Sequence, residues 1–475
     1  MCGIVGIVNA GGVSFPLYYA LFALQHRGQE SAGISTYEGG IIHKYKGKGL
    51  VAEVFNETVL RELGGTCGVG HVRYPTTGEK IPENIQPFNF TFQDRQIAIA
   101  HNGNLVNTED LRRSYEERGQ IFCTTTDTEI IGNIIADELR RSGSILDAVL
   151  LCMRRLSGSF SVVMMVDGVL YGFRDPLGNR PLCFGRTEEG FIIASESVAI
   201  DSLGGTFIRD VHPGELIRVD EKGIECTRVA AADRCAHCIF EYVYFARADS
   251  VIDGKQVYGV RRRIGHYLYS EAPVAADLVS PVPDSGIAHA IGYSEASGMP
   301  YREGLMKNRY IGRTFIMPTQ ESRESAVRMK LNPVRDHIRD RSIVLVDDSI
   351  VRGTTSRRII NIIREAGARE VHVRIGSPPI KTPCYLGVDM PTREELIASD
   401  KENETVCKSI GATSLHHVSL QALLDAIGIN DEDLCTGCLT GIYPVFVPGE
   451  KCSPRHVTFL DGTFQTNLGR FEEEE

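Results

Sequence analysis

The order of apolar and polar residues differs between the two halves of the chain. In the first half, short apolar runs and alternating stretches recur, as in 3–8 and 97–100, and both are typical of β-strands. Helical spacing is found after 127, where Ile131, Ile135 and Leu139 share one face. This pattern predicts a first half built mainly of strands and flanked by helical stretches.

The second half alternates between strand-like and helix-like stretches. Such a series of β and α units predicts a parallel sheet with helices packed on it. The predicted elements are a helix over 256–270, a strand within 277–286, a helix over 287–298, a strand over 308–316, a strand over 343–346 and a helix from about Ser356.

The length of the chain indicates more than one domain. At 475 residues it exceeds the size at which single hydrophobic cores stop growing. The regular pattern breaks between about 229 and 249. We therefore predict a first domain over 2–230, a linker over 231–249, a second domain over 250–445 and a C-terminal segment over 446–475 that ends in a frayed acidic tail, 472–475.

Composition and charge exclude several classes of protein. Hydrophobic residues make up 42% and charged residues 24%, as in ordinary globular proteins, and the formal net charge of −10 argues against a nucleic-acid partner. No apolar run approaches the roughly 20 residues of a membrane span, and no secretory leader is recognisable. We expect a cytoplasmic protein. Its 13 cysteines favour reduced thiols with a cofactor or metal site over a disulfide framework.

The strand predicted over 343–346 ends in two carboxylates. Asp347 and Asp348 follow it directly, and Gly353–Thr355 lie where the next helix is predicted to begin. Open α/β sheets bind ligands at this carboxyl edge, and N–H groups at a helix start suit a phosphate. Neighbouring carboxylates repel each other unless a cation or sugar hydroxyls occupy them. The alternative is an ordinary strand-to-helix turn with a capping Thr or Ser.

A second loop of this kind, 282–286, lies earlier in the same half. Ser285 is a candidate for the other side of the same site, and its alternative role is an N-cap. The segment 313–335 is polar, basic and interrupted by prolines, which is typical of a mobile lid or of a solvated charged face. Its basic residues are Arg313, Arg323, Arg328, Lys330 and Arg335.

Cys2 becomes the first residue of the chain if the initiator Met1 is removed. It then carries both a thiol and a free amine. An α-amine titrates at about 7.7–8.0 in model peptides, so it can act as general base for the thiol of its own residue. The alternative is that Cys2 is a small buried residue of the first strand.

Three later segments supply groups that a thiol nucleophile needs. Arg73 stands near the end of a predicted strand and suits a carboxylate. Asn102 and Gly103 end the strand over 97–100, where an amide group and a backbone N–H can converge on an oxyanion. Asp127 precedes the predicted helix. Taken singly, the alternatives are a surface cation, a turn and a helix cap.

Together with Cys2, these segments resemble the glutaminase domain of class II, N-terminal-nucleophile amidotransferases. The resemblance covers roughly 2–230 and includes 25–33 and 174–182. It implies an αββα sandwich, Cys2 as the nucleophile, Asn102 and Gly103 as the oxyanion hole, and Arg73 with Asp127 as the groups that hold the α-carboxylate and α-amine of glutamine. Some relatives remove a propeptide, and we expect no such step here.

The stretch 346–355 resembles the phosphoribosyl pyrophosphate (PRPP) motif of type I phosphoribosyltransferases. The resemblance implies that Asp347 and Asp348 hold Mg²⁺ and ribose hydroxyls, that Ser285 contributes to the Mg²⁺ site, and that 313–335 closes as a lid over PRPP. The residues implied to cradle the 5′-phosphate are Arg352, Gly353, Thr354 and Thr355.

Cysteines form two C-x₂-C pairs, at 235 and 238 and at 435 and 438. This spacing by itself suggests a zinc ribbon, and ordinary intracellular thiols are the other alternative. Members of the resembled family that bear iron–sulfur clusters have ligands at corresponding positions, which implies a [4Fe–4S] cluster here. The implied ligands are Cys238, Cys384, Cys435 and Cys438, with Cys235 as a spare.

The two resemblances in one chain imply a glycosyltransferase of the pentosyltransferase class. Glutamine would release ammonia in the first domain, and the ammonia would pass through an internal channel to C1 of PRPP. The products would be 5-phosphoribosylamine, pyrophosphate and glutamate, in the first committed step of purine synthesis. Purine nucleotides as feedback inhibitors and a homo-oligomer, a tetramer by resemblance, are expected with it.

Two other functions compete with this interpretation. A PRPP-sensing regulatory protein would keep the phosphoribosyltransferase fold with an inert first domain, but the intact set of Cys2, Arg73, Asn102 and Asp127 argues against it. A hexosamine-forming amidotransferase shares the first domain. The motif at 347–356 excludes that enzyme, because its second part consists of sugar isomerase modules.

Overall fold

The computed structural model describes residues 1–74, 78–79, 81–220, 223–308, 331–390 and 392–460, and the backbone of 465–468. Nearly all of the predicted strand over 308–316, the part of the predicted lid before 331 and the acidic tail lie outside these residues. Arg313, Arg323, Arg328 and Lys330 lie outside them too.

The first half contains two antiparallel sheets of seven strands each. In spatial order, one sheet runs β11-β9-β10-β1-β4-β2-β3, and the other runs β13-β12-β8-β7-β6-β5 with the C-terminal strand Gln465–Leu468 beside β13. The strands β1 to β13 span Gly3–Asn9, Ser31–Glu38, Ile41–Lys48, Cys67–Arg73, Phe88–Phe92, Arg95–Leu105, Gly158–Val166, Val169–Arg174, Cys183–Thr187, Gly190–Ala194, Thr206–Asp210, Glu215–Asp220 and Gly223–Arg228.

Helices cover the outer face of each sheet. Apolar side chains of the two sheets meet in a core that includes Ile4, Ala98 and Val163, while separate cores lie under the helices on each side. These layers confirm the predicted αββα sandwich. The helices α1 to α7 span Ser14–Ala23, Val51–Val54, Glu57–Glu62, Thr108–Glu116, Asp127–Ser142, Ile145–Arg155 and Val198–Asp201, with 3₁₀ turns at Gln25–Arg27 and Pro82–Asn84.

The segment over 231–249, predicted as a linker, contains regular structure. Strand β14 (Ala230–Ala232) pairs with Val457–Phe459, and β15 (His237–Cys238) pairs in parallel with Leu434–Cys435. A π-helical turn, Glu241–Phe245, follows and is largely buried. The chain then forms the short hairpin of β16 (Val251–Ile252) and β17 (Lys255–Gln256). The division into domains stays a prediction.

The second half is built on a parallel sheet of four strands. Its order is β18 (Leu278–Pro281), β21 (Ser342–Asp347), β22 (Glu370–Ile375) and β23 (Ser414–His417), which confirms the predicted parallel arrangement. The short strands β19, β20 and β24 to β27 span Leu305–Lys307, Leu331–Pro333, Leu434–Cys435, Ile442–Tyr443, Lys451–Cys452 and Val457–Phe459, and Gln465–Leu468 is β28.

The helices predicted over 256–270 and 287–298 are confirmed as α8 (Val257–Glu271) and α9 (Ile287–Ser297). The remaining helices are Arg335–Ile338, Thr354–Glu365, Asn403–Ile410, Leu420–Ile427 and Gly437–Thr440, with a 3₁₀ turn at Asp431–Asp433. Within the part of the chain that the structure describes, no helix has both the length and the apolar character to cross a membrane.

Candidate active sites

Cys2 lies at the buried start of the central strand β1. Its backbone N donates to the Oδ1 atom of Asn102 over 2.9 Å, although the two residues are a hundred positions apart. Its thiol contacts the carbonyl oxygen of Tyr74 at 3.6 Å, directly after β4, which pairs with β1. The structure therefore brings the predicted nucleophile to the strand that carries the predicted oxyanion donors.

Asn102 has the geometry of an unused donor. Its side chain is fully buried, and its Oδ1 atom accepts from Cys2, but its Nδ2 group has no partner among the described residues. A buried amide N–H without a partner is costly, so such a group in a native structure points to a catalytic role or to a bound water or ion. Gly103 follows on the same strand, and a Cβ there would stand 2.0 Å from the carbonyl oxygen of Ser159. Only glycine fits this approach of β6 to β7.

Arg73 and Asp127 border the same region and have protein partners. The Nη1 group of Arg73 contacts Glu30 at 3.0 Å at the end of β4. Asp127 begins α5 and accepts from the backbone N of Leu105 at 3.3 Å, two residues beyond Gly103. Burial opposes ionisation of Asp127, yet His101 and the backbone N–H bonds lower its pKa overall. The lowered pKa keeps Asp127 ionised beside the strand of Asn102.

A buried ion-pair network supports Cys2 from behind. The Nε group of Arg27 donates to the carbonyl oxygen of Cys2 at 3.1 Å, and its Nη2 group pairs with Glu241 at 2.8 Å. Arg27 also pairs with Glu196. Burial alone would lower the pKa of Arg27, but the two carboxylates raise it. Neither Arg27 nor Glu241 was predicted as a site residue. The signal was a charged residue, Glu241, inside an otherwise apolar run.

The side chain of Met1, the residue before Cys2, is also buried. It is buried in the core of the second half, and its sulfur contacts a guanidinium N–H of Arg180. Burial lowers the pKa of the Met1 amine to about 5. The start of the chain therefore lies between the two halves of the molecule.

The second candidate site lies at the carboxyl edge of the parallel sheet. Asp347 is the last residue of β21 and is half-buried, and Asp348 is buried beside it. Burial raises the pKa of both carboxyls, and the charge of Asp348 raises that of Asp347 further. Hydrogen bonds from Ser285 and Ser349 act in the opposite direction on Asp348. The predicted Ser285 is thus in contact with the acidic pair.

The loop after the acidic pair leads into the helix Thr354–Glu365, two residues earlier than predicted. Gly353 adopts φ +73° in front of this helix, a conformation that favours glycine. Arg352 and Thr354 are exposed, and Arg352 donates to Glu395 at 2.6 Å. The first N–H groups of the helix therefore face an accessible loop, as a phosphate site requires.

The four predicted cluster cysteines gather where the two halves meet. Cys238 and Cys435 are paired in the parallel register of β15 and β24. Burial raises the pKa of the Cys435 thiol to about 12, and the charges of Cys238 and Cys384 add to this rise. Burial also raises the pKa of the Cys438 thiol, and the charges of the other three cysteines raise it further. The four thiols thus lie within electrostatic reach of one another, and all are free.

Two further observations bear on these thiols. Burial raises the pKa of the Cys238 thiol, and the positive charge of Arg180 beside it acts in the opposite direction. Cys235 stands apart, and its backbone N donates to Asp433 at 2.8 Å. As the described side chains stand, no group of three or more His, Cys, Asp or Glu residues is arranged to hold a metal ion.

Comparison with known proteins gives one family for the whole chain. Residues 71–202 match the model of a glutamine amidotransferase domain. The chain is 52% identical over 456 residues to an amidophosphoribosyltransferase of Archaeoglobus fulgidus, a match that covers 95% of this chain and 100% of that protein. It is 53% identical over 452 residues to an amidophosphoribosyltransferase of Methanothermobacter thermautotrophicus, covering 94% and 95%.

A solved structure agrees with these relatives. Glutamine phosphoribosylpyrophosphate amidotransferase from B. subtilis, complexed with ADP and GMP, superposes with a TM-score of 0.87 at 43% identity, over 94% of this chain and 98% of that one. Sequence and fold therefore agree over both halves. The chain belongs to the amidophosphoribosyltransferase family.

Proposed function

We propose that this enzyme transfers ammonia from glutamine to C1 of PRPP at two sites, one in each half. The glutamine site consists of Cys2, Asn102, Gly103, Arg73 and Asp127. The PRPP site lies at the acidic pair and the loop that follows it. The products are glutamate, pyrophosphate and 5-phosphoribosylamine, and this is the first committed step of purine biosynthesis.

The first half-reaction requires removal of Met1, so that Cys2 carries a free amine. This amine takes the proton of the thiol, and the sulfur attacks the amide carbon of glutamine. The Nδ2 group of Asn102 and the N–H of Gly103 stabilise the negative charge on the amide oxygen. The amine then gives the proton to departing ammonia, leaving a thioester. Water hydrolyses the thioester to glutamate and restores the thiol.

Arg73 and Asp127 orient the glutamine. The guanidinium binds the α-carboxylate, and the carboxylate binds the α-ammonium group. Both side chains are already held by protein partners, Arg73 by Glu30 and Asp127 by His101, so little reorganisation accompanies binding. The amide carbon of glutamine is thereby presented to Cys2.

In the second half-reaction, ammonia attacks C1 of the ribose and pyrophosphate leaves. Asp347, Asp348 and Ser285 would hold Mg²⁺ and the ribose hydroxyls. When bound, Mg²⁺ neutralises charge on the departing pyrophosphate. The 5′-phosphate binds at Arg352, Gly353, Thr354 and Thr355, where the helix Thr354–Glu365 begins. The segment 313–335 closes over PRPP, and an internal channel keeps the ammonia from water.

The cysteine group fits a [4Fe–4S] cluster. Its donor set is four free thiols next to the positive charge of Arg180. Cys238, Cys384, Cys435 and Cys438 would hold the cluster and join the end of the chain to the start of the second half.

The organisation of the protein follows the same proposal. The glutaminase domain covers 2–230, and the phosphoribosyltransferase domain covers 250–445. The enzyme acts in the cytoplasm as a homo-oligomer, with four subunits by resemblance. Purine nucleotides inhibit it, in agreement with the ADP and GMP bound to the relative from B. subtilis.

One observation carries the proposal: Cys2 contacts Asn102, whose Nδ2 group is buried and unpartnered within the described structure. The test is pyrophosphate release by anaerobically purified protein, with glutamine or with an ammonium salt as the nitrogen source. Release should require PRPP and proceed with either source. Release with ammonium alone would refute the glutamine site. No release with either source would favour the PRPP-sensing regulator.

A further inference from the structure

A compact loop of the second half, Cys384–Met390, reaches into the first half. We call it the docking loop. Its ends are joined by a hydrogen bond from the backbone N of Cys384 to the carbonyl oxygen of Met390, 3.1 Å. The hydroxyl of Tyr385 donates to Glu450 at 2.8 Å, and its ring packs edge-on against Tyr443 with centroids 5.2 Å apart. The second half therefore holds the loop in one shape.

The docking loop contacts the first half through its backbone. The Nδ2 group of Asn104 donates to the carbonyl oxygen of Tyr385 at 2.8 Å. The hydroxyl of Ser159 donates to the carbonyl oxygen of Leu386, also at 2.8 Å. Asn104 and Ser159 are opposite each other in the pairing of β6 with β7, and the backbone N of Asn104 donates to the Ser159 hydroxyl at 3.3 Å.

These contacts lie next to the oxyanion donors. Asn104 directly follows Gly103, and Gly387 of the loop packs on the peptide between them. A Cβ added to Gly387 would stand 3.3 Å from the carbonyl carbon of Gly103 and 3.6 Å from the backbone N of Asn104. On its other side, Gly103 is in close contact with the carbonyl of Ser159. The strand that carries the donors is thus held between β7 and the docking loop.

We propose that the docking loop is a positioning element of the glutamine site, and that it acts through Asn104 and Ser159 on Asn102 and Gly103. The inference rests on the proposed oxyanion role of these two residues. Oxyanion donors work only when they are fixed at the position where charge develops. The loop supplies that fixation from the other half of the molecule, so the alignment of the donors depends on how the two halves are docked.

The test compares two asparagines with the same kind of hydrogen bond. Asn104→Ala removes the bond to the docking loop. Asn107→Ala removes a bond of 2.9 Å to the carbonyl oxygen of Arg155 and one of 3.0 Å from the backbone N of Ser157, both within the first half, and serves as the control. Since Asn104→Ala displaces the donors without deleting them, we expect about a 10-fold fall in kcat for glutamine hydrolysis, below the 10²–10³ of a deleted donor.

The pattern of the kinetic constants separates positioning from general damage. For Asn104→Ala, the KM for glutamine and ammonium-dependent pyrophosphate release should be unchanged, and Asn107→Ala should match the wild type in all three measurements. Ser159→Ala should give a similar fall in kcat, and the double variant should lose less than the product of the single effects, because both side chains hold one loop.

Two results would overturn the inference. A kcat of Asn104→Ala within twofold of the wild type would show that the loop does not position the donors. An equal fall in glutamine hydrolysis and in ammonium-dependent pyrophosphate release would show that the docking loop merely joins the two halves. Asn102→Ala, measured in parallel, separates this failure from that of the proposed function. If Asn102→Ala also keeps its kcat, the oxyanion assignment is wrong and the inference falls with it.

Discussion

Replacing Asp348 by Asn should stabilise the protein while it inactivates the PRPP site. Asp348 is 5% exposed and follows Asp347 at the end of a buried strand. Burial raises the pKa of both carboxyls in the folded state. Folding therefore opposes their ionisation, and an isosteric neutral side chain removes part of that cost. A residue kept for a charged ligand is commonly unfavourable for the empty protein.

The size of the effect is of the order of the repulsion between two neighbouring carboxylates. Like charges at about 4 Å repel by about 4 kcal/mol at an effective dielectric constant of about 20. Partial protonation relieves some of this repulsion, so we expect Asp348→Asn to raise the free energy of unfolding by about 1–3 kcal/mol. PRPP-dependent turnover should fall by about 100-fold, which corresponds to about 2.7 kcal/mol.

The sign of the pH dependence is fixed by the raised pKa values. An unfolded aspartate titrates near pH ~4. Below that pH, the electrostatic cost of ionising the two carboxyls in the folded protein is absent. It grows as the pH rises and is complete above the folded pKa values. The stability gain of Asp348→Asn should therefore be small near pH 4 and larger at pH 7.

The assay is thermal unfolding between pH 4 and 8, with and without Mg²⁺, beside pyrophosphate release from ammonium and PRPP. Asp400→Asn makes the same change at an exposed position of the same half and should alter neither measurement. A lower unfolding midpoint for Asp348→Asn without Mg²⁺ would contradict the electrostatic argument. A wild-type rate at subsaturating PRPP would contradict the assignment of the site.

Other changes test the remaining assignments. Cys2→Ala should abolish glutamine hydrolysis yet retain synthesis from ammonium salt at alkaline pH, and residual hydrolysis would exclude the thiol as nucleophile. Protein shown by mass spectrometry to keep Met1 should behave in the same way, and normal glutaminase rates in that form would refute the amine as base. Asn102→Ala should lower kcat for glutamine hydrolysis by 10²–10³, and a change in KM alone would contradict its oxyanion role. Cys384→Ser should lose iron and brown colour together while Cys235→Ser keeps both, and stoichiometric zinc without iron in the wild type would replace the cluster by a zinc site.

Much of this architecture can be predicted from sequence, because the relevant signals are local. An unbroken apolar run followed by two carboxylates predicts a buried parallel strand ending in a site, and β21 ends at Asp347. Cys2 and Asn102 are far apart in the chain, but each belongs to a short motif with its own strand. Their contact follows because both strands belong to the two stacked sheets of one sandwich.

The parts that sequence reasoning missed have no local signal. The role of Arg27 can be recognised only when its partners are known. One of them, Glu241, lies more than two hundred positions away in the sequence. The docking loop uses the carbonyl oxygens of Tyr385 and Leu386, and every residue has such a group. The residue type therefore does not indicate which backbone carbonyl accepts a hydrogen bond from a side chain. Only the fold shows which carbonyl reaches which side chain.

The two halves meet beside Cys2, and a buried ion pair contributes to this contact. Arg27 is almost fully buried, and burying an unpaired guanidinium costs several kcal/mol. One of its two carboxylate partners, Glu196, belongs to the sandwich, but the other, Glu241, lies on the turn that opens the second half. Without that turn, the charge that holds the carbonyl oxygen of Cys2 would lose one of its two balancing carboxylates. The position of Cys2 therefore depends on contacts from both halves of the chain.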